Sequence, residues 1–197
     1  MKLALKTHRV VPVALVETAL ALLAALVGTT LIALPGPAGD APLSLLIALA
    51  GSLVVAPPLV RAWPTNRTNT VRGAGAVAAV VVLSQIAPGV VVTTIAATLG
   101  APQMLAYVGM LTWLLALQVA AGVLVSAPYQ GLAPAVYVML CALVGRIDGV
   151  VQPWAWPLAG SSSVSMADIG TATLALSLTA LAWRGLHGRS TESAAAR

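Results

Sequence analysis

Glu17 is the one ionisable side chain set deep inside a long apolar run of this chain, so the search for chemistry starts there. A carboxylate in such surroundings is costly to charge and faces a cavity, a partner group or nearby water. On that ground Glu17 is a candidate for lining a cargo path. Read as a structural group, it instead reaches water or an arginine at the end of the run, or is protonated and hydrogen-bonded between helices. Gln85, Gln103 and Gln118 sit in similar apolar stretches and suit hydrogen bonds between helices. Asp40, Asp148 and Asp168 fall in expected loops or at a helix start, so they do not form the paired carboxylates of an aspartyl protease. A phosphate-binding loop needs a lysine behind its glycines, and the lysines are Lys2 and Lys6. The signatures of zinc proteases and serine hydrolases are missing. His8 and His187 stand at opposite ends without cysteine or acid neighbours at ligand spacing, so neither a metal nor another cofactor is expected. Cys141 is the single cysteine, which rules out an internal disulfide. These residues point away from an enzyme.

The elements that would position Glu17 are read from composition and punctuation. The 197 residues are 59% hydrophobic and 8% charged, against about a quarter charged in a soluble domain. An integral membrane protein follows as the expected class, all-α and polytopic. A crossing helix needs about 20 apolar residues. Breaks at Pro35-Gly36-Pro37, Pro57-Pro58, Gly100-Ala101-Pro102 and around Pro128 divide the chain into six expected spans, at about 10–34, 43–60, 73–99, 103–125, 128–145 and 169–186. The basic start, with Lys2, Lys6 and Arg9, precedes an apolar run longer than a secretory core of about 7–15 residues, so a retained first span is expected. The segment 146–167 is too apolar for a solvated loop and too broken by Pro153 and Pro157 for a crossing. An external, re-entrant-like element is expected there. Ser165 and Asp168 form a capping-box pattern ahead of the last span. The whole of 1–197 reads as one transmembrane domain.

Orientation follows from the basic residues. The polar run 61–72, RAWPTNRTNTVR, carries Arg61, Arg67 and Arg72 and no acid. Arginine and lysine are retained on the cytoplasmic side during insertion. With both termini inside, nine of the ten basic residues fall on the cytoplasmic face and Arg146 alone falls outside. Trp63 and Trp183 then mark the inner interface, and Trp154 and Trp156 the outer one, as an aromatic belt. The basic residues are too few and scattered for nucleic acid and serve topology. The expected location is the inner (plasma) membrane, multi-pass, with membrane lipids as partners.

This layout resembles the permease subunits of type-2 ATP-binding-cassette exporters. The likeness rests on six spans with both ends inside, a basic loop after the second span and a semi-apolar external segment before the sixth. The PWAWPL stretch, Pro153 to Leu158, is similar to small actinobacterial permease-like proteins. The resemblance implies that 61–72 docks on a separate ATP-binding subunit, through Arg61, Trp63, Arg67 and Arg72, and that 150–159 re-enters the outer leaflet. It also implies a homo- or hetero-dimer of permease subunits. The expected function is ATP-driven export of a hydrophobic or amphipathic cargo, such as a peptide, lipid-like molecule or natural product. The alternative is a non-transporting membrane subunit that anchors or regulates a larger complex.

Overall fold

A computed structural model describes residues 10–34, 39–62, 98, 103–124 and 129–159 of the chain. Helix α1 spans Val10–Val27. Pro12 is accommodated in its first turn, where the amide it lacks would have no helical partner. The helix stops at Gly28-Thr29, and the chain turns into a short antiparallel hairpin, β1 (Leu31–Ala33) with β2 (Asp40–Pro42), in which Leu31 pairs with Pro42. Gly39, with φ 71°, takes the left-handed conformation that closes this hairpin. Helix α2 (Leu43–Ala62) leaves β2 directly and runs back along α1: Gly28 lies near Ser44, and Glu17 lies near Gly51.

Helix α3 (Gln103–Leu124) lies parallel to α2, as Ser44 meets Met110 and Ser52 meets Gln118. Helix α4 (Leu132–Val144) starts beside Leu53 and Ala56 of α2 and packs on α3. It is followed by a second hairpin, β3 (Arg146–Ile147) with β4 (Val150–Val151). Asp148 (φ 51°) and Gly149 (φ 79°) fill its two-residue turn, the backbone pattern of a type I′ hairpin. A 3₁₀ segment, η1 (Pro153–Ala159), then folds against β2, so both hairpins and η1 gather at one end of the bundle.

The core lies between α2 and α3. Leu45, Val55, Tyr107, Met110, Leu111, Leu114 and Leu115 are fully buried there. The outer helices contribute one stripe each. On α1 it is Val13, Glu17, Ala21, Ala24 and Gly28, and on α4 it is Pro134, Val138, Cys141, Ala142 and Gly145. Both follow the spacing of three and four that aligns side chains on one helical face. The α1 stripe is small apart from Glu17, whereas Leu15, Val16, Leu22, Leu23 and Leu26 point outward. On α1, therefore, bulk sits outside and small or polar groups sit inside.

The expectation of six membrane-crossing helices is corrected by this structure. Among the described residues, no helix is long and apolar enough to cross a membrane, and the helices are accompanied by two small sheets. The run 10–34 is divided between an 18-residue helix, a turn and a strand, giving a helix about 27 Å long against a hydrocarbon thickness of about 30 Å. Helix α4 has 13 residues. The longer helices carry Pro57, Pro58 and Arg61 in α2, and Gln103, Thr112 and Gln118 in α3. Turn-forming glycines and polar residues partition the apolar runs, which hydropathy averaged over a window does not register. The description as a transmembrane, multi-pass permease falls with the six spans. The expected spans 73–99 and 169–186 lie outside the described residues, apart from Thr98. The expected external element 146–167 is, as far as Ala159, a hairpin and a 3₁₀ segment packed on the bundle.

Candidate functional site

The candidate site is the polar contact layer that α1, α2 and α3 enclose. Glu17 has no exposed surface, and neither carboxyl oxygen has a hydrogen-bond partner. It is placed there by the α1 stripe, one turn after Val13 and one before Ala21. Gly51 of α2 makes room for it. A Cβ built on Gly51 would lie 2.8 Å from Oε2 and 3.2 Å from Oε1, with Leu111 Cδ1 also at 3.2 Å. From α3, Tyr107 is fully buried and its hydroxyl lacks a partner. Burial pushes the Glu17 carboxyl up to about 7, because an uncompensated charge is disfavoured away from water. Burial, and secondarily the charge of Glu17, pushes the Tyr107 hydroxyl up as well.

Farther along the α2–α3 contact, Gln118 Nε2 donates to the Ser52 carbonyl oxygen at 2.6 Å, while the Ser52 hydroxyl donates back to Leu49 O at 2.8 Å. Gln118 Oε1 is buried and unpartnered. Gln130, just ahead of α4, is fully buried with both amide atoms unpartnered. At the hairpin end, the Tyr137 hydroxyl donates to the Trp154 carbonyl oxygen at 2.6 Å. The Tyr137 ring meets Trp113 edge-on at 6.1 Å between centroids. These contacts tie η1 to α4 and α3.

The sequence-predicted residues separate. Glu17 joins Gly51 and Tyr107 in the interior rather than reaching a surface. Trp154 is exposed on η1, whereas Trp156 is half-buried and packs against the core. Arg61 belongs to the last turn of α2. Trp63, Arg67 and Arg72 lie outside the described residues. Sequence reasoning missed Tyr107, Ser52 and Gln130 as partners in the polar layer. Gly51-Ser52 within an otherwise aliphatic helix was the available signal, since a glycine in a helix interior costs about 1 kcal/mol unless something approaches closely.

No three histidine, cysteine or acidic side chains cluster among the described residues in a way that could hold a metal. Among the described residues Cys141 is buried, and its thiol is pushed up to about 11, chiefly by burial. The layer can bind protons and hydrogen-bond between helices. Comparison of the chain with models of protein families, with curated proteins and with solved structures finds no match.

Proposed function

We propose that this chain is a non-enzymatic subunit that anchors or regulates a larger assembly at the cell membrane, its outer faces covered by lipid acyl chains and by the helices of partner subunits. The observation that carries this reading is the pairing of buried polar side chains with strongly exposed apolar ones on the outer helices. Glu17, Ser52, Gln118 and Gln130 are buried, while Leu26 and Leu124 are each 81% exposed. Leu22 and Leu23 on α1 and Met139, Leu140 and Leu143 on α4 add to the outward apolar surface. Large apolar side chains exposed together on one helix face suit a protein or membrane contact. The anchoring role is preferred to cargo passage because Glu17 is fully buried and its carboxyl oxygens and Leu111 Cδ1 lie within 3.2 Å of where a Gly51 Cβ would be.

The test is flotation of the purified full chain with phosphatidylcholine vesicles, alongside recovery of bound subunits from its native membrane. The chain is expected to float, and a triple Leu22→Gln, Leu26→Gln, Met139→Gln variant to float less. A wild-type chain that stays monomeric and monodisperse in buffer without lipid or detergent would defeat the proposal. Recovery of a stoichiometric ATPase would identify the assembly as an energised exporter; recovery of other subunits would identify a different complex.

A further inference from the structure

Glu17 is out of place on its own helix. The other members of its buried stripe are valine, alanine and glycine, and a leucine or alanine would fill the position without a polar cost. Its surroundings leave little room for a ligand. A Cβ at Gly51 would fall 2.8 Å from Oε2 and 3.2 Å from Leu111 Cδ1, so the carboxyl packs directly against the α2 backbone. A proton satisfies a carboxylate without needing volume.

We propose that Glu17 is a proton-binding site that controls the closure of α1 on α2 and α3. With the proton bound the carboxyl is neutral and α1 packs; when the proton is released to water, the charge has no counter-ion among the described residues and α1 is loosened. Among the described residues, the groups that face it are few. From α2 it meets Gly51, which does not titrate, and from α3 it faces Leu111 and the Tyr107 phenol. The Arg146 side chain lies at the hairpin end beside Gly39, away from this contact. The direction of linkage follows: the folded chain holds this proton more tightly than the unfolded chain, so stability falls as pH rises from the ordinary glutamate range through about 7, and levels off above it.

The test uses the full chain in detergent micelles. Infrared difference spectra between about pH 6 and about pH 8 are expected to show loss of a protonated-carboxyl C=O band, absent in Glu17→Gln. In parallel, the melting temperature of the wild type is expected to fall by about 5 °C over the same range, while Glu17→Gln stays flat. A wild-type spectrum with no acid band at the lower pH overturns the proposal whatever the variants do. So does a Glu17→Gln variant that keeps the wild-type slope. If Glu17→Gln does not fold, Glu17→Asp serves in its place: a moved titration midpoint of the band supports the assignment, and an unmoved midpoint rejects it.

Discussion

Gln118 and Glu17 show that a buried polar side chain has different consequences according to its partner. Gln118 spends its amide N–H on the Ser52 carbonyl oxygen, leaving one unpartnered oxygen. Glu17 has no partner, so its protonation state absorbs the mismatch. Replacing Gln118 by methionine removes one hydrogen bond and one orphaned oxygen at similar volume. These effects oppose one another, and denaturant midpoints should place the variant within about 1 kcal/mol of the wild type. A loss of several kcal/mol would mean that the unpartnered oxygen has a role that the packing does not reveal. Gln118→Ala also leaves a cavity beside Ser52 and should cost more, about 2–4 kcal/mol.

At the level of elements, two glycines near the second hairpin separate steric need from conformational need. Gly145 ends α4 at φ −73°, which any residue adopts, but a Cβ there would crowd the Cys141 carbonyl oxygen and sit 2.7 Å from Leu158 Cδ1 and 2.9 Å from Ala155 Cβ of η1. Gly149 has nothing within 4 Å of its would-be Cβ, yet holds φ 79° in the hairpin turn. Gly145→Ala is therefore expected to push η1 away from α4, costing about 1–3 kcal/mol and exposing Trp156 to acrylamide quenching. Gly149→Ala should cost about 1 kcal/mol through the turn alone and leave Trp156 as it is. Equal quenching changes in the two variants would contradict this division. The Tyr137 bond to Trp154 supports the same join, holding η1 from the α4 side.

The chain carries a net charge of +5, and α1 and α4 carry exposed apolar side chains; these predict different responses to salt. Attraction of basic residues to anionic lipid is screened within about 3 Å at 1 M salt, whereas apolar burial is not weakened by it. Flotation with neutral vesicles should thus persist at about 1 M sodium chloride if the leucine faces of α1 and α4 make the contact. Flotation only with anionic vesicles, and only at low salt, would transfer the interaction to the basic segments and remove the argument from the exposed apolar side chains. Because Leu22, Leu26 and Met139 are outward, their replacement by glutamine should change unfolding by less than about 0.5 kcal/mol each while lowering lipid binding.

The apolar composition, the helical character of much of 10–27, 43–62, 103–124 and 132–144, and the prominence of Glu17 were legible from residue types alone. They depend on local propensity and on the rarity of charge. Of the expected breaks, Pro57-Pro58 does not end its helix, since α2 continues to Ala62, and the stretches at 35–37, 100–102 and Pro128 lie outside the described residues. Leu31–Ala33 and Val150–Val151 form strands because each finds an antiparallel partner across a turn, a pairing that hydropathy does not encode. Asp148-Gly149 between Ile147 and Val150 was a readable hairpin signal that the apolar surroundings concealed. Only the tertiary structure decided that the small face of α1 turns inward, which puts Glu17 on Gly51 and near Tyr107 and leaves the leucines outside. That choice is made by close approach: glycine and alanine let backbones come together, and no single helix contains the shape of its neighbour.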